Sequence, residues 1–293
     1  MLPDTWTVLQ LLNWTTTYFK THHIDKPRPA AEILLAHTLE LSRVDLYIQY
    51  DRPLNPGELA TFKKAIKRRL QGEPVAYIVG EKGFWSLDLR VTREVLIPRP
   101  ETEVVVETAL SIIPEESLPR PFRILDLGTG SGAIVLALAA ERPGHRFYAI
   151  DCSQGALRVA RDNARRYGLD GAIGFLCGNW FDAVSHRRNS FDLIVSNPPY
   201  ICRDELDKLD VEISDNEPRE ALDGGTDGLE AIGIILEHAA KYMSAGGRLV
   251  FEIGCDQWDC VKSLMMETDA YTDLNVIKDY SGLNRVVQAR VRE

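Results

Sequence analysis

Five short aliphatic runs dominate the C-terminal two-thirds of the chain: RILDLG (123–128), HRFYAID (145–151), AIGFLC (172–177), FDLIVSN (191–197) and GGRLVFEIG (246–254). Runs this apolar read as strands buried on both faces, and segments of helical periodicity begin between them near Gly132, Gln154 and Gly228. Buried strands alternating with helices call for a parallel sheet covered on both sides, because each crossover must lay its helix on a face of the sheet. The expected fold class is therefore α/β, Rossmann-like and mainly parallel. The terminal LNVIKDYSGLNRVVQARVR (274–292) holds two more strand candidates about a turn at Gly282, which suggests an antiparallel hairpin at one edge.

The N-terminal part has a different grammar. From Trp6 to about Leu70, apolar residues recur at helical spacing in VLQLLNW, AAEILLAHTLEL and FKKAIKRRL, with breaks at Pro27, Pro29, Pro53 and Pro56. Four or five packed helices are expected. YIVGEKGFWSLDLRVTREVLIP then alternates apolar and polar residues around Gly80 and Gly83, as a hairpin would. The expected division is a helical bundle at 1–75, a linking hairpin at 76–95 and a larger α/β domain at 96–293.

RILDLGTGSGAI runs from a strand through a turn holding Gly128, Thr129, Gly130, Ser131 and Gly132 into a helix. Glycines there permit positive φ and let a ligand approach the backbone, with free N–H groups at the helix start. A dinucleotide fold would place GxGxxG at this turn. This chain has DxGxGxG, which resembles motif I of the class I S-adenosylmethionine-dependent methyltransferases. The next strand ends in Asp151, where an acid can accept hydrogen bonds from both ribose hydroxyls. The third strand leads into CGNWFD, so Asn179 and Trp180 are expected to flank an adenine ring. Asp126 is expected either to order the glycine turn or to meet the amine of the methionine moiety.

The fourth strand runs into Asn197-Pro198-Pro199-Tyr200. Two prolines remove two backbone donors and stiffen the chain where it leaves the sheet. The Asn197 side-chain oxygen and the Pro198 carbonyl can each accept one N–H of a planar NH₂ group, Pro199 keeps the loop extended, and Tyr200 can stack on a flat substrate. The tetrapeptide resembles the signature of methyltransferases that modify planar nitrogens, including adenine N6 and glutamine amide enzymes. VLIPRPETE (95–103), EPREALDGGTDGL (217–229), Glu252 to Gly254 with Gln257, and DYSGLNRVV (279–287) narrow the choice. Together they resemble the HemK/PrmC family of peptide chain release factor glutamine methyltransferases over nearly the whole chain.

That resemblance implies a class I methyltransferase domain behind an N-terminal helical bundle, with S-adenosylmethionine as cofactor and S-adenosylhomocysteine as product. It implies class 1 release factors as protein substrate, with Asn197 to Tyr200 at the pocket for the glutamine of a Gly-Gly-Gln loop. Gly128 to Gly132, Asp151 and Trp180 fall at cofactor positions. Asn179 stands where many relatives have Asp, and its carbonyl oxygen can still accept from an adenine amine. Two rivals share the chemistry: a glutamine methyltransferase of a ribosomal protein, and an adenine N6 methyltransferase of nucleic acid. A third is a module that binds cofactor without turnover.

Charge weighs against the nucleic-acid rival. Residues 1–75 carry ten Lys and Arg against eight Asp and Glu, leaving 24 against 35 in the remainder, so the excess acid lies with the catalytic part and duplex DNA binding is not expected. The opening MLPDTWTVLQLLNW lacks a basic segment followed by an apolar core, and no apolar run reaches membrane-spanning length, so a cytoplasmic protein without membrane contact is expected. Five cysteines, odd in number and without a CxxC pair, suggest buried free thiols. No metal site is expected, since adjacent His22 and His23 on a helix point apart. Lys63, Lys64, Lys67, Arg68 and Arg69 form either a solvated helix face or a docking surface. Glu101 and Glu103 are expected to order the loop at the next helix start rather than to act as a catalytic base.

Overall fold

A computed structural model describes residues 6–115, 120–184 and 191–292. Residues 1–5, the start of the MLPDTWTVLQLLNW stretch on which the absence of a targeting segment is expected, lie outside them. The chain forms two compact units, one running through Glu81 and including Asp210–Asn216, the other Lys82–Leu209 with Glu217–Glu293.

The first unit contains α1 (Val8–Thr21), α2 (Pro27–Leu39), α3 (Arg43–Ile48), α4 (Pro56–Leu70) and α5 (Val75–Val79). Thr7, Ser42 and Asn55 each close a capping box with the residue three positions on, starting α1, α3 and α4. Each such cap is worth about 1 kcal/mol. Val8, Leu12, Phe19, Leu34, Leu35 and Phe62 are buried together as the core. Glu32 is buried too. Burial pushes its carboxyl up, but hydrogen bonds from Tyr47, Arg43 and Arg28 outweigh this and hold it down to about 2.

On α4 the inner face is Phe62, Ala65, Ile66 and Arg69, at i, i+3, i+4 and i+7. The basic run therefore divides: Lys63, Lys64 and Lys67 are exposed, Arg68 pairs with Glu73, and Arg69 is buried. Arg69 meets Glu212 at 2.5 Å, on the short helix α10 (Val211–Ser214), while Asn216 Nδ2 donates to Gly72 O at 3.2 Å. No sequence feature announced that 210–216 returns to the helical unit.

In the second unit β1 (Glu81–Phe84) and β2 (Leu87–Arg90) form the expected hairpin, whereas residues 75–79 before it are helical. Asn163, fully buried on α8 (Gln154–Arg166), bonds both the N–H and the C=O of Arg90 and also the Ser131 carbonyl in the glycine turn. The main sheet comprises β3 (Arg123–Leu127), β4 (Arg146–Asp151), β5 (Ile173–Cys177), β6 (Phe191–Ser196), β7 (Met243–Glu252), β8 (Tyr271–Lys278) and β9 (Asn284–Val291), in the order β5-β4-β3-β6-β7-β9-β8. Strands β3 to β7 pair in parallel, and β9 joins β7 antiparallel with β8 outside it, so both the parallel sheet and the edge hairpin are as the sequence predicts.

Successive strand residues enter opposite cores. Ile124, Leu193, Val195 and Val250 pack with α6 (Glu103–Ile112) and α7 (Ala133–Glu141). Leu125, Leu127, Ile194 and Phe251 pack with α11 (Glu230–Tyr242) and α12 (Trp258–Glu267). This two-sided burial is why the strands read as continuous apolar runs. Strand order reverses at β3, which makes the carboxyl ends of β3 and β6 neighbours: Leu127 pairs with Ser196, and Ser196 Oγ donates to Leu127 O at 2.8 Å. The glycine turn and the NPPY loop thus leave the sheet side by side at a topological switch point, where open α/β sheets bind ligands.

The thiol expectation needs correcting. All five cysteines are free, but Cys152, Cys177, Cys255 and Cys260 are exposed and Cys202 is half-buried. Cys152 follows β4, Cys177 ends β5 and Cys255 follows β7, so these three lie where the apolar runs stop and the chain emerges from the sheet. Among the described residues no helix is long and apolar enough to cross a membrane.

Candidate active site

The turn after β3 is held from below. Gly128, Gly130 and Gly132 all have positive φ, at 71°, 55° and 86°. The Gly128 and Thr129 N–H groups donate to Ile150 O, Gly132 N–H donates to Thr129 O, and Gly130 N–H donates to Asp151 Oδ2 at 2.8 Å. Four N–H groups near the expected ligand side are therefore engaged in shaping the turn. Gly132 also has a packing reason, since a Cβ there would lie 2.8 Å from Leu136 Cδ1. Asp126 is fully buried beneath the turn and accepts from Thr129 Oγ1 at 2.6 Å. Burial, aided by the nearby Asp151 charge, pushes its carboxyl up to about 7 despite the Thr129 hydrogen bond. The Thr129 bond engages one oxygen of Asp126 with the glycine turn.

Asp151 closes β4, and its other oxygen accepts from Ser153 N–H at 2.9 Å. Burial raises its carboxyl above the ordinary range. A cavity of about 640 Å³ opens beside these groups, lined by Gly128, Thr129, Gly130, Ser131, Asp151, Asn179, Trp180, Asn197 and Pro199. Sequence-distant candidates from four strand ends thus meet on one wall. Asp126, Gly132, Pro198 and Tyr200 are not among its lining residues. Trp180 sits at φ 49°, a costly conformation for a bulky residue, and its ring packs partly on the core under α11 and α12. Asn179 is exposed on the cavity rim.

The volume suits a nucleoside carrying a short chain. A Cβ placed on Gly128 or Gly130 meets nothing within 4 Å, so the open space reaches the backbone itself. A carboxylate for ribose hydroxyls, an indole and an amide for a purine, and bare backbone for an amino-acid arm together fit S-adenosylmethionine.

The loop after β6 is pinned from several sides. Ile201 N–H donates to Leu222 O and Gly224 N–H returns to Ile201 O. Gln257 Nε2 donates to Tyr200 O at 3.0 Å and to Gly228 O at 3.1 Å. Gly228 has φ 75°, and a Cβ on it would lie 2.5 Å from Tyr200 O, so only glycine lets the two backbones meet. Asn197 Nδ2 donates to Thr102 Oγ1 at 3.0 Å, which leaves the amide oxygen as the acceptor the chemistry asks for. Tyr200 differs from its expected stacking role. Its ring packs on the core and its hydroxyl donates to buried Glu252 at 3.1 Å, with burial the main cause of its raised phenol pKa.

Sequence reasoning overlooked Thr102 and gave Glu252 no role beyond resemblance. The link between the stretches around 97 and 217 was also missed: buried Glu217 accepts from Ile97 N–H at 3.0 Å and pairs with Arg99, tying IPRPETE to EPREA beside the cavity, which Arg99 and Pro218 help to line. A signal existed, since two acids in otherwise apolar or proline-rich contexts ask for buried partners. Glu103 accepts from Trp85 N–H at 2.9 Å, so its bond reaches the turn of the β1–β2 hairpin rather than the loop at its own helix start.

Comparison with known proteins agrees with this geometry. Residues 10–80 match a family model described as PrmC N-terminal domain, and residues 120–283 one described as methyltransferase domain. The release factor glutamine methyltransferase of Geobacter sulfurreducens is 40% identical over 289 residues, covering 99% of this chain and 98% of that one. That of Coxiella burnetii is 44% identical over 275 residues, covering 94% of each. A solved methyltransferase from Pyrococcus furiosus shares the fold, with a TM-score of 0.51 and 18% identity over 78% of this chain and 98% of that one. With a class I methyltransferase sheet, S-adenosylmethionine as its cofactor and near full-length relatives at this identity, the chain belongs to the family of release factor glutamine methyltransferases.

Proposed function

We propose that this protein methylates the side-chain amide nitrogen, N5, of the glutamine in the Gly-Gly-Gln motif of class 1 peptide chain release factors. The observation that carries the reading is the Asn197 amide on a residue that lines the cavity: its nitrogen is committed to Thr102, which leaves its oxygen as an acceptor. The near full-length likeness to the Geobacter and Coxiella enzymes supports the choice of substrate.

When bound, S-adenosylmethionine supplies an electrophilic methyl group on a positively charged sulfur. Asp151 is assigned the ribose hydroxyls, Asn179 and Trp180 the adenine, and the Gly128–Gly132 turn the methionine arm. Asn197 Oδ1 and the Pro198 carbonyl each accept one N–H of the glutamine NH₂ group. A glutamine nitrogen is a weak nucleophile because its lone pair is delocalised, so two such acceptors orient it in line and favour the positive charge that develops during attack. Held by these residues, the cofactor would offer its methyl group in line with that nitrogen, and the amide proton would leave to water or to Asn197 Oδ1. Pro199 keeps the loop extended, and Tyr200 braces it through Glu252. No separate base is assigned, since an N-protonated amide is strongly acidic.

The same reading places the protein in the cytoplasm, where release factors act, and gives the helical unit the task of recognising the substrate outside the glutamine loop. Exposed Lys63, Lys64 and Lys67 are the groups assigned to that docking. Changing all three to Glu is expected to raise the KM for intact release factor by about tenfold, a scale set by rim charges, with kcat little changed. An unaltered KM would remove the docking assignment.

The function itself is tested with labelled S-adenosylmethionine and a purified class 1 release factor, beside the same factor carrying Gly-Gly-Ala. Label on the first and not on the second is expected. Label on neither would turn attention to ribosomal-protein and nucleic-acid substrates.

A further inference from the structure

Glu252 is the buried charge that the mechanism above leaves without a chemical task. It ends β7 and is 1% exposed. Its Oε2 accepts from Thr102 Oγ1 at 2.7 Å, and its Oε1 accepts from the Tyr200 hydroxyl at 3.1 Å. Thr102, 4% exposed, in turn accepts from Asn197 Nδ2 at 3.0 Å. The three links span 150, 52 and 95 residues of chain, and the last two end on the Asn197–Tyr200 loop.

The direction of each bond follows from donor counting. Burial raises the Glu252 carboxyl, while the hydrogen bond from Thr102, the Arg285 charge and the hydrogen bond from Tyr200 favour its ionised form; ionised, it can only accept, and both hydroxyls then point their single protons at it. With its proton committed, Thr102 has only lone pairs left for Asn197. The Asn197 amide must then turn its NH₂ toward Thr102, and its oxygen faces the other way. With the opposite flip, an NH₂ group would meet the NH₂ of the incoming glutamine, and two donors would be left facing each other.

We propose that Glu252 is a positioning residue that sets the flip of the Asn197 amide through Thr102, so that the substrate nitrogen meets an acceptor. The inference rests on the proposed function and deepens it. Glu252 touches neither substrate nor cofactor in this arrangement; it polarises a chain of hydrogen bonds whose last member does. The buried acid at the end of β7 is thereby tied to the identity of the nitrogen that the enzyme accepts.

Thr102→Val and Thr102→Ser provide the test, because valine keeps the shape without the hydroxyl and serine keeps the hydroxyl. Thr102→Val is expected to lower kcat on release factor by about 10- to 100-fold, the range seen when a supporting hydrogen bond behind a working group is removed. The KM for release factor and the Kd for S-adenosylmethionine should stay near those of the unaltered protein. Thr102→Ser should recover most of the lost kcat. Glu252→Gln converts one acceptor into a donor at constant size, so it should cost about as much, and the double variant Thr102→Val/Glu252→Gln should be little worse than either alone, as for coupled members of one network.

Thr102→Val as fast as Thr102→Ser, with Asn197→Ala inactive, would overturn the relay and leave the function standing. A loss of kcat in Thr102→Val that serine does not recover, or one accompanied by an equal loss of S-adenosylmethionine affinity, would also overturn it, because that pattern marks a packing role. Unaltered protein that labels no release factor would instead overturn the function on which the relay rests.

Discussion

Asn197→Ala is expected to lower turnover on a class 1 release factor on the order of 100-fold or more, the scale of losing one preorganised hydrogen-bonding group at a reacting centre. Cofactor affinity should change little. The reasoning is local to one oxygen. Asn197 is only half-buried and lines the cavity, and its nitrogen is already bonded to Thr102, which leaves the oxygen as the free acceptor. Alanine removes that acceptor while leaving the cavity's turn, Asp151 and Trp180 untouched. The loop should also keep its shape, because Gln257 and the backbone bonds of Ile201 hold it independently of the Asn197 side chain. Single-turnover methyl transfer, with S-adenosylmethionine binding measured on the same preparation, checks both halves. Turnover near that of the unaltered protein would remove Asn197 from the mechanism.

Asp151→Ala should show the reverse pattern. Binding of S-adenosylmethionine is expected to weaken by about 10- to 100-fold, matching roughly 1.5–3 kcal/mol for hydrogen bonds made to a charged group. Two effects add in the same direction. The carboxylate that would receive the ribose hydroxyls is lost, and so is the acceptor that ties Gly130 N–H and Ser153 N–H to the end of β4. Asp151→Asn separates them, since an amide oxygen can keep one of the backbone bonds and part of the turn geometry. Equilibrium binding of the cofactor to the three proteins, with kcat measured at saturating cofactor, gives the comparison. An Asp151→Ala protein with unchanged Kd would count against the ribose assignment.

Much of the fold could be read from local pattern. Runs such as FDLIVSN and GGRLVFEIG are apolar along their length because both sheet faces are covered, and that burial shows directly in the residue types. The glycine turn was legible for a similar reason: three positive-φ positions within five residues leave a mark that no other residue type makes cheaply. The thiols were misread because a cysteine at the end of an apolar run looks the same in sequence as one in the middle. Arg69 was misread as part of a charged face because its charged partner, Glu212, returns from 143 residues on and joins the Glu73 carbonyl at the buried guanidinium.

By itself the sequence determined the alternation of strands and helices, the cofactor turn, the acid ending the second strand and the NPPY loop, all properties of sterics and periodicity within about ten residues. Tertiary structure decided that Asn197, Thr102, Glu252 and Tyr200 share one hydrogen-bond chain, that Glu217 clasps Ile97 and Arg99, and that Tyr200 faces the core. The physical reason is that a donor's partner depends on which strand ends become neighbours. Leu127 lies beside Ser196 only because strand order reverses at β3, a choice made by packing over the whole sheet and by no residue near either one.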